Sequence, residues 1–129
     1  MAEYSPAKSY EFLAEKEFIS LTTYQADGTP ITSPCWFAPG EDCIFIEARS
    51  QDEVVRRIQF NPRVQVAAYD ARTYPIGEPV DSIARIMTAL DMHRAKFALQ
   101  EKYGLKKFAT GMLQVFQPGE RLYIELKPA

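Results

Sequence analysis

Phe18-Ile19-Ser20-Leu21-Thr22-Thr23-Tyr24, then Asp27-Gly28, then Pro30-Ile31-Thr32-Ser33-Pro34-Cys35-Trp36-Phe37 is the stretch on which the fold turns. Two hydrophobic runs flank an Asp-Gly pair whose residues tolerate positive φ, so the segment predicts a β-hairpin with strands at 17–24 and 30–37. Pro34 donates no backbone N–H and would cost a ladder bond inside a sheet, which places the second strand at an edge or a bulge. Trp36, the one tryptophan of the chain, follows two residues later. An edge that lacks a donor beside a large aromatic suits a flat ligand; the same pair also fits a bulge with a core tryptophan.

Working outward, Ser5-Pro6 reads as a helix start, with Tyr10, Leu13 and Ala14 on one face of a short helix over about 6–15. Pro39-Gly40 predicts a turn into a strand at 43–49. Ser50-Gln51-Asp52-Glu53 has the form of a capping box, and Val54, Val55 and Ile58 give the following helix an apolar face that Asn61-Pro62 ends. Val64, Val66 and Ala68 alternate with their neighbours as in a half-buried strand, and Val80 to Met87 does the same. Between them, Asp70 to Pro79 is rich in turn formers. Thr88 can cap a third helix, whose Met92, Ala95, Leu99 and Tyr103 form a stripe ended by Gly104. A last hairpin is expected at 110–117 and 120–127, turning at Pro118-Gly119. Six or seven short strands with small helices between them predict a mainly β, formally α+β, chain folded as a small closed or nearly closed antiparallel barrel.

With 129 residues, 47% of them hydrophobic, the chain suffices for one globular domain, here 1–129, and is short for two well-cored ones. Fifteen basic residues against 17 acidic ones give a net charge of −2, which argues against nucleic acid or an anionic membrane surface as the main partner. No apolar run approaches the roughly 20 residues that cross a bilayer. The start, Met1 to Pro6, lacks the basic and apolar regions of a secretory signal, so a cytoplasmic location is expected. In that setting Cys35 and Cys43 read as buried thiols rather than a disulfide.

The single histidine, His93, falls on the polar side of a helix and reads as a surface residue. Without a second imidazole or a cysteine cluster at metal spacing, no metal site and no catalytic triad is expected. The six glycines are scattered at turns, with no phosphate loop. If the chain is an enzyme, an organic cofactor carries the reactivity, and no catalytic side chain is assigned. The start of the second helix is the natural phosphate site, because free amides, the positive helix end and the guanidinium groups of Arg49, Arg56 and Arg57 beside Ser50 all favour an anion. The plainer alternative is a capping serine and a solvated arginine face.

Phe18 to Thr23, Asp27 to Pro30, Ser33 to Phe37, Val55 to Ile58, Asn61 to Val64, Tyr69 to Arg72, Ala84 to Ile86 and Lys102 to Gly104 form an ordered set over about 17–104. This set resembles the pyridoxamine 5′-phosphate oxidase-like split-barrel family, and within it the deazaflavin-dependent oxidoreductase class. The resemblance implies a six-stranded antiparallel split β-barrel that forms a homodimer, with FMN or the deazaflavin coenzyme in a groove between subunits. It implies that Ser33, Pro34, Cys35 and Trp36 lie against the ring, and that Arg49, Ser50 and Arg57 lie near the phosphate. Tyr69, Arg72 and Tyr74 are then placed to cover the ring or orient a substrate, or are ordinary loop residues.

One position departs from the family pattern. Val54 stands where a lysine is common, and Asp52 and Glu53 precede it. Each carboxylate beside a phosphate would cost about 1 kcal/mol or more near a surface. That departure keeps a rival open: a non-enzymatic split barrel that is cofactor-free or only carries flavin or haem.

Overall fold

The computed structural model describes residues 10–69, 76–104 and 119–129. Among these residues seven strands form one antiparallel sheet: β1 (Phe18–Tyr24), β2 (Pro30–Trp36), β3 (Ala38–Gly40), β4 (Cys43–Arg49), β5 (Arg63–Ala68), β6 (Ile76–Ile86) and β7 (Arg121–Pro128). Two helices accompany them, α1 (Glu53–Phe60) and α2 (His93–Tyr103). The strand order is β2-β1-β5-β6-β7-β4-β3. Its two outermost strands, β2 and β3, are separated in sequence by Phe37 alone, so the sheet has to curl until its ends nearly meet. This is the split barrel expected from the sequence; among the described residues it counts seven strands, where six or seven are read from the sequence and six are implied by the resemblance, and the three-residue β3 is one that was not expected.

The hairpin forms as read: Phe18 pairs with Trp36 and Tyr24 with Pro30. Of the Asp-Gly pair, Gly28 takes a positive φ, +90°, while the Asp27 carboxylate accepts from the Thr29 amide at 2.9 Å. β2 ends the sheet, so exposed Pro34 forfeits no ladder bond on its open side.

Several elements differ from expectation. Of the expected leading helix, residues 6–9 lie outside the described part, and the described part holds a 3-10 turn, Glu11–Leu13, after which Glu15, at φ +69°, turns the chain away. Leu13 is the buried residue of this turn. Pro39-Gly40 lies within β3, and the turn falls one step later, on Glu41-Asp42, with Asp42 at φ +60°. A Cβ on Gly40 would sit 2.5 Å from the Phe45 ring, so glycine serves the close strand pairing rather than the turn. β6 begins at Ile76, inside the segment read as a loop, and its pairing with β5 shifts between Val66 and Ala68. α2 begins at His93 rather than at Thr88, because the Asp91 carboxylate accepts from both the Thr88 amide and hydroxyl, at 2.8 and 3.0 Å, and holds the chain in a turn first. β7 takes β4 and β6 as its neighbours; the strand expected at 110–117, like Arg72 and Tyr74, lies outside the described residues.

Alternation along the strands sorts side chains into two cores. Inside the curl lie Ile19, Leu21, Ile44, Ile46, Val64, Val66, Ile124 and Leu126, plugged by Val55 and Ile58 of α1. Outside it, Ala95 and Leu99 of α2 pack on Ala38, Phe45, Met87 and Tyr123. Gly104, at φ +82°, ends α2. No helix among the described residues is long and apolar enough to cross a membrane.

Candidate functional site

Register decides how β2 presents the Ser33–Trp36 segment. Ser33 pairs with Leu21 and Cys35 with Ile19, so these two share the interior face, while Pro34 and Trp36 pair with Ser20 and Phe18 on the outer face. The four residues therefore form two half-sites on either side of one edge strand. On the inner side, burial pushes the Cys35 thiol up to about 12; a hydrogen bond with Ser33 opposes this, and the Asp52 charge adds to it. The thiol stays protonated, which suits a lining group and not a nucleophile.

On the outer side Trp36 meets Phe18 edge-on, with ring centroids 5.4 Å apart, and Tyr103 at 4.8 Å. Phe18 in turn meets Tyr69 at 5.9 Å. Trp36 is thus wedged in an aromatic cluster and half-buried. Lys102 and Tyr103 fix the joint between β2 and β3: the Phe37 carbonyl accepts from Lys102 Nζ at 2.8 Å and from the Tyr103 hydroxyl at 2.7 Å. Lys102 Nζ also lies 3.4 Å from the centre of the Phe37 ring. Burial draws the Lys102 pKa down to about 8, opposed by Glu17.

The start of α1 is not the capping box read from the sequence. The helix begins at Glu53 with Asp52 as N-cap, and no side chain caps it. Ser50 Oγ instead accepts from the Glu120 amide at 2.9 Å, while the Ser50 amide donates to the Glu120 carbonyl at 2.7 Å, a latch between the end of β4 and the start of β7. Arg49 Nη1 reaches the Gly119 carbonyl at 3.4 Å. The Asp52 carboxylate turns back and accepts from the Arg49 amide at 2.9 Å. Glu53 faces Arg56 at 3.8 Å on the exposed side of the helix. Arg57, one turn in, is half-buried and donates from Nε to Thr23 Oγ1 at 2.7 Å.

Arg57 thus reaches the interior face of β1 at Thr23, the face on which Leu21 and Ile19 stand opposite Ser33 and Cys35, while Arg49, Ser50 and Asp52 lie together where β4 passes into α1. Arg56 is directed to solvent, and Pro34 and Trp36 lie across the strand. Among the described residues no group of histidine, cysteine or carboxylate side chains could hold a metal ion. His93 is exposed at the start of α2, as read from the sequence.

The start of α1 thus sets open helix amides beside two guanidinium groups at one edge of a curled sheet, and sequence comparison gives the family of that fold. The family model described as pyridoxamine 5′-phosphate oxidase matches residues 5–129. The chain belongs to the pyridoxamine 5′-phosphate oxidase family. Among solved structures, a conserved hypothetical protein from Mycobacterium tuberculosis has 22% identity and a TM-score of 0.70 over 97% of this chain and 81% of that one. HutZ, a haem storage protein from Vibrio cholerae, has 19% identity and a TM-score of 0.69 over 92% and 86% of the two chains. An F420 reductase has 22% identity and a TM-score of 0.64 over 93% of each. At these identities the likeness is one of fold. Among curated protein sequences none matches this chain.

Three contributors in this family member escape a sequence reading. Thr23 hides in a Thr22-Thr23 pair on a strand where either could face inward; its place in the alternation Ile19, Leu21, Thr23 was the available signal. Asp52 reads as a charge beside a phosphate and as a residue suited to a first helical turn, but nothing local announces its bond from the Arg49 amide. Lys102, next to a helix C-terminus, reads as a favourable dipole partner.

Proposed function

We propose that this chain is a flavin- or deazaflavin-dependent oxidoreductase that works as a homodimer. Its cofactor phosphate is held at the start of α1 by the open amides, Arg49 and Arg57. The single observation that carries this reading is the uncapped start of α1 with a half-buried guanidinium fixed beside it. A half-buried guanidinium with unused donors favours an anion, and a phosphate would complete the set.

The donor set tolerates that group despite the neighbouring acids. Glu53 is turned toward Arg56 on the exposed side of the helix, while the Asp52 carboxylate, though it accepts from the Arg49 amide, stays at the helix mouth, so Arg49 and Arg57 have to outweigh its charge. The missing lysine at Val54 is offset by Arg57, and Val54 packs on the interior core instead. Bound there, the ring would supply two-electron redox chemistry. The chain's own residues bind and orient: Ser33 and Cys35 line the inner side of the β2 edge, and a second subunit supplies the opposite wall. With no positioned acid or base among Ser33, protonated Cys35 and the arginines, proton transfer is left to solvent or substrate.

A second reading, a split barrel that only carries haem, draws support from the resemblance in fold to a haem storage protein. Fluorescence titration with FMN and with the deazaflavin coenzyme, set beside absorbance titration with haem, separates the two. Saturable binding of one flavin-type ring supports the oxidoreductase. A Soret shift with haem, and no response to either ring, would replace it. Light scattering should show a dimer, and a clean monomer would remove the proposed second wall.

A further inference from the structure

Thr23 stands at an interior position where its neighbours on the same face, Ile19 and Leu21, are apolar and 0% and 1% exposed; Thr23 itself is 1% exposed. A buried hydroxyl costs free energy unless it is bonded, and valine would fill the same space without that cost. The bond that Thr23 makes is to Arg57 Nε, at 2.7 Å. Arg57 carries five N–H donors, of which this bond uses one. The other four, on the two Nη nitrogens, meet no acceptor among the described residues.

We propose that Thr23 is a positioning residue for the anion site: by accepting from Nε it fixes the Arg57 guanidinium so that its two Nη nitrogens serve the phosphate. This deepens the reading given above and rests on it. A long arginine side chain has many rotamers, and binding an anion with a free one costs ordering entropy at that moment. Anchoring Nε from a β-strand removes that cost in advance, and it also ties β1, the partner strand of β2, to α1. Thr23 lies next but one to Leu21, which pairs with Ser33, so the anchor joins the β2 half of the site to the α1 half.

A merely structural threonine and a positioning one differ in what they do to the phosphate alone. The test titrates wild type, Thr23→Val, Thr23→Ala and Thr23→Ser with FMN and, separately, with riboflavin, which carries the same ring without the phosphate; the deazaflavin coenzyme and its phosphate-free ring alcohol serve likewise. Thr23→Val and Thr23→Ala are expected to weaken FMN about tenfold or more and leave riboflavin unchanged, while Thr23→Ser, which keeps the acceptor, binds as wild type. Equal losses for FMN and riboflavin, or no loss for either, would overturn the positioning role while leaving the oxidoreductase reading intact. Failure of wild type to bind either phosphate-bearing ring would overturn both, and is seen in the wild-type titration alone. Thr23→Ala keeps the comparison available if Thr23→Val does not fold.

Discussion

Two glycines with nearly the same backbone conformation allow the latch between β4 and β7 to be weighed. Gly28 has φ +90° and Gly119 φ +95°, so alanine at either pays for a left-handed backbone, about 1 kcal/mol. Their surroundings differ. A Cβ at Gly28 meets nothing within 4 Å, whereas one at Gly119 lies 2.6 Å from Ser50 Oγ and 3.0 Å from the Gln51 amide nitrogen. Ser50 must then rotate away and give up its bond from the Glu120 amide, a further loss of about 1 kcal/mol, and the Gln51 backbone must shift, which costs about 1 kcal/mol more. Gly119→Ala is thus expected to destabilise by about 3 kcal/mol and Gly28→Ala by about 1. Urea unfolding of both variants measures the difference. Ser50→Ala, which removes the clashing oxygen, should recover part of the loss in the double variant, so the two substitutions are non-additive. Equal destabilisation by Gly28→Ala and Gly119→Ala, or strict additivity with Ser50→Ala, would refute the close approach.

Leu99→Ala removes a fully buried side chain beneath α2 and should cost about 2–5 kcal/mol in urea unfolding; an effect below about 1 would mean that α2 is not packed on the outer face of the sheet. The lowered pKa of Lys102 makes the folded state bind fewer protons than the unfolded one between pH about 8 and about 10, so this group raises stability as pH rises through that window. Because Lys102 is half-exposed and hydrogen-bonded, the rise is expected to be about 1 kcal/mol; the wild type should gain it over Lys102→Met, and parallel pH profiles would contradict it. Glu125 is buried yet held below the usual carboxylate range, because bonds from Arg94 and Arg85 outweigh the upward push of burial. Glu125→Gln should therefore lower stability near neutral pH and flatten its loss on acidification, as calorimetry from pH 3 to 7 would show; an unchanged acid limb would contradict it.

The hairpin, the two helices, the alternating strands and the barrel were legible because each rests on a local signal: Asp27-Gly28, the apolar stripes, and Pro34 excluded from a sheet interior. What was not legible depends on contacts far apart in sequence. Ser50 looks like a helix cap because serine, two residues and glutamate fit that motif, yet the amide that claims its oxygen belongs to Glu120, 70 residues later. Pro39-Gly40 looks like a turn, yet Gly40 is required by the Phe45 ring across β3 and β4. The split of Ser33–Trp36 between two faces follows from strict alternation and was available in principle; it was obscured by reading the four as a single patch. Thr23 acquires its partner only when α1 crosses β1, which no spacing in the sequence announces.

The central claim is that the start of α1 is a phosphate site for a flavin-type cofactor, with Arg57 as its fixed cation. Its most direct test is the dissociation constant of FMN and of the deazaflavin coenzyme for wild type and Arg57→Ala, followed by fluorescence at fixed ionic strength. The account predicts saturable binding of one of the two by wild type, weakened by about tenfold or more in Arg57→Ala. Binding of neither cofactor, or the same affinity in both proteins, would contradict it.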